Sequence, residues 1–350
     1  MRILLLGGTG AMGSHLVELL AKRGDEVAVT SRQKRTDRGN IRYIEGNACS
    51  KTFLNRTLEG DYDAVVDFMV RSTEGFAETA KKIMARTNQY VFVSSYRVYA
   101  DSPLLSESSL RLLDVTDDRA YLASDEYALA KARCEDVLVG GDRKNWTIVR
   151  PGITFDGSGR FQLGTLEANT WLFRAQNDIP VLFPNEMLAK ETTLSWGGDV
   201  ARMIAGIIGR QEAMGEMYNV STSEHLPWSE VAKVYQKGTG LTLVPCAVAD
   251  YEDVVGGHYQ IWYDRMLDRR IDNTKILSVC GMSADEIVPV RERLAAELWK
   301  YLSSGRTTMG NISPNARMDR KLGGMWSLRP LLASRPSART LVGYTARRFL

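Results

Sequence analysis

Apolar positions in the first 150 residues alternate between two spacings. Short, continuously apolar runs of the kind found in strands buried on both faces fall at 2–6 (Arg-Ile-Leu-Leu-Leu), 26–31, 41–45, 63–68, 89–94 and 145–150. Between most of them lie stretches with apolar residues every three or four positions, at about 12–23, 51–58, 74–86 and 124–139. This alternation predicts an α/β fold, a doubly wound parallel sheet with right-handed helical crossovers. In such sheets ligands sit beyond the carboxyl ends of the strands.

After Arg150 the pattern changes. Pro151-Gly152 and Asp156-Gly157-Ser158-Gly159 read as turns. Helices are predicted at about 164–175, 198–209, 228–238 and 285–302, with short strands near 180–183 and 216–221. That is too irregular for a second parallel sheet, so residues 151–304 read as a smaller C-terminal α/β lobe that takes substrate. Residues 305–350 hold Pro314, Pro330 and Pro336 and little period beyond one amphipathic turn around Met325–Leu332. They read as an appended tail.

Composition narrows the class. Hydrophobic content of 44% and charged content of 25% are those of a soluble globular protein. No run of 18 apolar residues occurs, so no spanning helix is expected. The N-terminus reads as a core strand rather than a signal peptide, which predicts a cytoplasmic protein. Cys49, Cys134, Cys246 and Cys280 are scattered without C-x-x-C spacing and read as reduced thiols. His15, His225 and His258 have no metal-ligand spacing, and no metal is expected. The net charge of +3 hides an asymmetry: residues 305–350 hold nine Lys/Arg and one acid, a net +8, which leaves −5 on the rest. Such a tail suits a membrane surface, a partner or a phosphorylated substrate. The favoured reading is a solvated extension wrapping its own domain.

The first apolar strand runs into Gly7-Gly8-Thr9-Gly10-Ala11-Met12-Gly13 and then a helix. Glycines allow a sharp turn and close approach of a pyrophosphate, and a helix start offers free N–H groups and a positive dipole end. Strand, turn and helix together mark residues 1–150 as a dinucleotide-binding domain. On the helix at 124–139, Tyr127 and Lys131 stand four apart and share a face. A tyrosine ionises near pH ~10. A neighbouring ammonium favours the phenolate, which suits Tyr127 to move a proton while a nicotinamide moves a hydride. Ser94 and Ser95 end the fifth strand, where hydroxyls can polarise a carbonyl oxygen.

With these motifs the chain resembles an extended short-chain dehydrogenase/reductase of the NAD-dependent epimerase/dehydratase group, over roughly residues 1–303. The likeness continues in Tyr96-Arg97-Val98-Tyr99, Arg150-Pro151-Gly152, Gly198-Asp199-Val200-Ala201-Arg202, Tyr218-Asn219-Val220-Ser221 and Asp272-Asn273-Thr274-Lys275. The resemblance implies a Rossmann-type fold and a homodimer through a helix pair. It implies Ser95 as the catalytic serine, Tyr127 as the acid/base, and Lys131 as the group that lowers the tyrosine pKa and holds the nicotinamide ribose. It implies cofactor contacts from Gly7, Thr9, Gly10, Ala11, Met12 and Gly13, from Asn47 (where the family usually has Asp) and Ala48, from Phe68 and Met69, and from Pro151 and Ile153.

NAD users carry a ribose-binding acid after the second strand. Here the chain reads Ser31-Arg32-Gln33-Lys34-Arg35, and a guanidinium suits a 2′-phosphate. NADP(H) is therefore expected over NAD(H), with Arg32 as the contact. The sugar-nucleotide 4,6-dehydratases carry Asp-Glu just after the active-site hydroxyl residue, and Tyr96-Arg97 stands there instead. Dehydration is disfavoured, leaving epimerisation through a transient ketone or net carbonyl reduction. Many relatives place Asn three residues after the strand-end Arg; Ile153 here loosens the expectation of a nucleotide-sugar substrate. Ser94, Arg97 and Arg160 are the candidate substrate contacts, with Arg174 and Arg202 as lesser candidates for a diphosphate; the plainer reading of all three of Arg160, Arg174 and Arg202 is a surface helix or loop charge. Nucleic acid is not an expected partner of an enzyme of this kind. The alternatives are a dinucleotide-binding regulator or RNA-associated protein that kept the fold without the chemistry, and a membrane-surface enzyme anchored by Trp326, Leu328, Leu331 and Leu332 beside Arg329 and Arg335.

Overall fold

A computed structural model describes residues 1–306, 308, 310–333 and 337–349. Among these, the strands Arg2–Leu6 (β1), Glu26–Ser31 (β2), Ile41–Glu45 (β3), Tyr62–Asp67 (β4), Thr87–Val93 (β5), Trp146–Pro151 (β6) and Glu216–Val220 (β7) form one parallel sheet in the order 7-6-5-4-1-2-3. The order reverses beside β1, and the glycine turn follows that strand. Ligands bind at such a reversal in open α/β sheets.

Strand alternation divides the core in two. Ile3 and Leu5 face the helices Ala11–Lys22 and Gly197–Ile207, with Leu16, Val17, Leu20, Val200 and Ile204. Leu4 and Leu6 face Phe53, Leu54, Phe76, Ile83, Cys134 and Leu138 from the helices Lys51–Thr57, Phe76–Ala85 and Tyr127–Val139. Each such buried aliphatic side chain contributes about 1.5–3 kcal/mol. Gly197 lets its helix press on the first one: a Cβ there would sit 2.4 Å from the Ala11 carbonyl oxygen.

The chain forms two compact units. The first comprises Met1–Thr154, Thr193–Ser223 and Ile271–Ile287; the second comprises Phe155–Thr192, Glu224–Arg270 and the chain from Val288 on. The contiguous division at 150 and 304 thus differs from the observed one, because two later segments return to the sheet unit. The clearest is β7, expected in the smaller lobe, which pairs in parallel with β6 from Glu216↔Thr147 to Val220↔Pro151. Its five-residue pattern shows a strand but carries no mark of which sheet it joins.

The second unit holds a two-stranded parallel sheet, Val181–Pro184 with Leu243–Cys246, and several helices. The expected helix 164–175 is realised only as Trp171–Ala175. Gly164, at φ +58°, makes the tight turn of a hairpin joining Gln162–Leu163 to Leu166–Glu167. The tail, expected to hold little period beyond one amphipathic turn, is more regular than that. It forms the helices Ile312–Lys321, Leu328–Ala333 and Ala338–Phe349. Asp319 is wholly buried, 2.9 Å from Arg174 Nη1, and accepts from the Ser327 and Tyr344 hydroxyls at 2.6 and 2.7 Å. Arg174, read from sequence as a surface charge, is therefore a core residue. Leu331 is buried and Leu328 partly so, against Phe173, Ala316 and Tyr344, so neither is free to anchor the chain in lipid. Trp326 and Leu332 remain exposed, and Arg335 lies outside the described residues. No helix among the described residues is long and apolar enough to cross a membrane.

Candidate active site

Every candidate site residue except Arg160 and the lesser candidate Arg174 belongs to the first unit. The glycine turn starts with Gly7 at φ +77°, whose N–H donates to the Thr30 hydroxyl at 2.9 Å. Gly13 sits against the turn: a Cβ there would come 2.7 Å from the Gly8 backbone. A Cβ at Gly10 would meet nothing within 4 Å, so the turn is open at its middle. Ser14 N–H is the helix donor that reaches back to Gly10 O, at 3.0 Å, which leaves the first-turn N–H groups of Ala11, Met12 and Gly13 for an anion. No acid stands in that first turn. The arrangement fits the pyrophosphate of a nicotinamide dinucleotide.

Arg32 follows the end of β2 and is exposed, as are Lys34 and Arg35, while the Arg35 guanidinium lies 5.9 Å from the Tyr43 ring centroid. Asn47 follows β3; its Oδ1 accepts from Cys49 N–H at 3.0 Å, and Ala48 is buried beside it. Phe68 and Met69 continue from β4, and Met69 Sδ lies 2.7 Å from where a Gly7 Cβ would be. Pro151 ends β6, and Ile153 follows it, buried.

Tyr127 opens the helix Tyr127–Val139, and Glu126 caps it by accepting from the Ala128 N–H at 2.8 Å. The half-buried Tyr127 shares a side-chain hydrogen bond with Ser95. Burial raises the phenol above its ordinary pKa; the Ser95 bond and then the Arg97 charge work in the opposite direction. Lys131 is one of two cations near the phenol. Its Nζ turns to the carbonyl oxygens of Val93, at 2.7 Å, and Met69, at 3.3 Å, and lies 5.9 Å from the Tyr127 ring centroid. Burial pushes the lysine itself down to about 8. The nearer of the two is Arg97, 5.3 Å over the ring and bonded to Glu126 at 2.7 Å.

Ser94 points elsewhere. Its hydroxyl donates to Glu135 at 2.5 Å in a buried network, which corrects its reading as a substrate contact. Glu135 takes a two-pronged bond from Arg150, at 2.9 and 2.6 Å, and Arg150 donates to Tyr99, whose hydroxyl donates to Asn219 at 2.7 Å. The network ties β5, β6, β7 and the Tyr127 helix beneath Ser95. Arg160 belongs to the second unit, exposed on the turn that bridges Asp156 and Arg160. Arg202 is a half-exposed partner of Asp199 and Glu286.

Sequence reasoning missed Glu126, Asp67 and Arg71. Glu126 and Arg97 are 29 residues apart, and Asp67 sits inside an apolar strand where only the fold shows its partners. Among the described residues no group of three His, Cys, Asp or Glu side chains is arranged to hold a metal.

Residues 7–174 match the NAD(P)H-binding family. The chloroplast stem-loop binding protein of 41 kDa b from Arabidopsis thaliana is 24% identical over 257 residues, 68% of this chain; the match spans only 63% of that protein. The UDP-glucose 4-epimerase of Thermus thermophilus, solved with NAD, superposes with a TM-score of 0.62 at 19% identity, over 87% of this chain and all (100%) of that one. The UDP-glucuronic acid 4-epimerase of Bacillus cereus, solved with UDP-glucuronic acid and NAD, gives 0.65 at 16% identity over 87% and 100%. At these identities the structural likeness establishes the fold.

Proposed function

We propose that this chain, which carries an NAD(P)H-binding domain on the fold of the extended short-chain dehydrogenases/reductases, catalyses hydride transfer at a carbinol or ketone carbon of a sugar. The reading takes that sugar as nucleotide-activated, the reaction as epimerisation or carbonyl reduction, and NADP(H) as the preferred cofactor. The observation that carries it is the Tyr127–Ser95 hydrogen bond, with Lys131 one helical turn on and the glycine turn in the same unit. The bound nicotinamide supplies or takes up the hydride. The chain's own groups handle the proton. The Tyr127 hydroxyl gives it to a carbonyl oxygen or takes it from an alcohol. Ser95 orients that hydroxyl and shares the substrate oxygen. Arg97 favours the phenolate by charge, and Lys131 adds a second cation to the same pocket wall. Gly10 to Gly13 receive the pyrophosphate, Arg32 the 2′-phosphate, and Asn47, Ala48, Phe68, Met69, Pro151 and Ile153 border the rest of the cofactor.

Elimination of water is not part of the reading. Tyr96 is buried, and Arg97 is a cation held by Glu126, so the position after Ser95 supplies no free carboxylate. A panel of nucleotide sugars with NADP(H), followed at the absorbance of the reduced nicotinamide, tests the proposal. Net oxidation or reduction supports a reductase, and cofactor-dependent interconversion without net redox change supports an epimerase. No turnover of any member, with NADPH bound, overturns it.

Two observations favour a second reading, association with RNA. The curated relative is described as a stem-loop binding protein. The tail helices also set Arg317, Arg320, Lys321 and Arg347 around a cavity of about 650 Å³ with Asp253. Retention of stem-loop RNA that falls steeply with salt and is lost on Arg317→Glu/Arg320→Glu/Arg347→Glu would support it; retention unchanged in that variant rejects it.

A further inference from the structure

A buried carboxylate organises the peptide that holds Lys131. Asp67 ends β4 and is wholly buried. Its Oδ2 accepts from Arg71 Nε at 2.6 Å and from the Tyr90 hydroxyl at 2.9 Å, and its Oδ1 accepts from Met69 N–H at 3.0 Å. The carbonyl of that same Met69 accepts from Lys131 Nζ. Met69 also lies against the glycine turn, its Sδ in the space a Gly7 Cβ would need. One carboxylate therefore fixes a residue that touches both the cofactor turn and the lysine.

The charges around the lysine are few. Asp67 faces it from β4 and Arg71 from the loop beyond; Cys134 and Glu135 lie on its own helix, and Glu135 is already engaged by Arg150. Asp67 favours the ammonium and Arg71 opposes it, while burial pushes the group down. The Arg71 guanidinium is itself buried with Nη2 lacking a partner. A guanidinium left partly unpaired in the interior costs stability. Its place is explained better by an electrostatic task than by packing.

We propose that Asp67 and Arg71 are a positioning pair for Lys131: Arg71 and Tyr90 hold the Asp67 carboxylate, and Asp67 fixes Met69, whose carbonyl receives the ammonium. The two charges also act on the same lysine with opposite sign. The proposal rests on the reading of Lys131 as part of the cofactor site, but its test does not depend on turnover.

The test is a ¹³C NMR titration of the cofactor-free protein labelled at lysine Cε, with the Lys131 signal assigned by its loss in Lys131→Met. The wild-type signal is expected to titrate near 8. Asp67→Asn keeps the shape and should move the midpoint down by about one pH unit; Arg71→Met should move it up. The double variant Asp67→Asn/Arg71→Met leaves no unpaired guanidinium and should titrate between the two single variants. It also covers the case in which Asp67→Asn alone fails to fold. An unmoved midpoint in the single variants, or movement in one direction for both, overturns the pair. Midpoints that move with the expected signs, with no turnover on any sugar, would uphold the pair and reject the enzymatic reading instead.

Discussion

The Arg97 guanidinium lies 5.3 Å over the ring of Tyr127. It lies nearer that ring than Lys131, to which sequence spacing pointed. The two cations differ in position: Lys131 sits with the Val93 and Met69 carbonyls, and Arg97 lies over the ring, bonded to Glu126. A cation near a buried phenol opposes the desolvation that keeps it neutral.

Arg97→Met should therefore raise the Tyr127 pKa further, both by removing the guanidinium and by releasing the Glu126 carboxylate beside the ring. In the alcohol-oxidising direction the phenolate is the active form. Activity rises with pH towards that pKa, so the variant's profile moves to higher pH. At a fixed pH below the pKa, the oxidation rate should fall about tenfold for every tenfold weakening of the phenol as an acid. In the carbonyl-reducing direction the neutral phenol is active, and the profile should extend to higher pH instead. Rate profiles in both directions check the sign; movement to lower pH in oxidation rules out this role for Arg97.

Tyr127→Phe removes the proton carrier and keeps the ring. Turnover should drop by about 10²–10⁴, the usual worth of general acid–base catalysis, while NADPH affinity changes little. Quenching of tryptophan fluorescence by NADPH measures the second quantity independently of the first. Retained turnover at neutral pH would remove Tyr127 from the chemistry.

The sheet was legible because most of its strands, β1 and β4 to β6 above all, are buried on both faces. β1, β2 and β3 fall at the boundaries read from apolar runs, and the glycine turn and Tyr127 helix follow from local signals. Connections that depend on distant partners were not legible. The five residues of β7 carry no mark of the strand they pair with, and Asp319 is one acid in a basic, proline-interrupted stretch. At the site, the glycine turn and the Tyr127–Lys131 pair stood out by spacing, and Ser95 was singled out only by the family resemblance. The direction in which Lys131 turns was not, because it depends on Val93 and Met69 carbonyls 38 and 62 residues away.

The Asp319 cluster makes a prediction about the tail. Asp319→Asn leaves the Arg174 guanidinium buried without a counter-charge, which costs about 3–5 kcal/mol. Urea unfolding should show an earlier transition for the second unit. Truncation after residue 304 removes the same partner together with the buried Ala316, Leu331 and Tyr344, and should destabilise that unit more. Binding functions of the tail are therefore better tested by surface charge reversal than by deletion. An unfolding curve unchanged in Asp319→Asn would mean the pair contributes nothing net.

Cofactor choice rests on the end of β2. No carboxylate follows Ser31 until Asp37, whose Oδ1 accepts from Tyr43 N–H. Of the three exposed cations there, Arg35 already lies by the Tyr43 ring, whereas Arg32 is next to the strand end. A charge-assisted bond to a 2′-phosphate is worth about 1.5–3 kcal/mol. Arg32→Ala should therefore weaken NADPH binding about 10- to 100-fold. NADH has no group for Arg32 to recognise and should bind the variant as it binds the wild type. Fluorescence titration with both cofactors decides it. Equal losses for the two would make Arg32 a structural residue of the loop, and tighter NADH than NADPH binding in the wild type would reverse the preference itself.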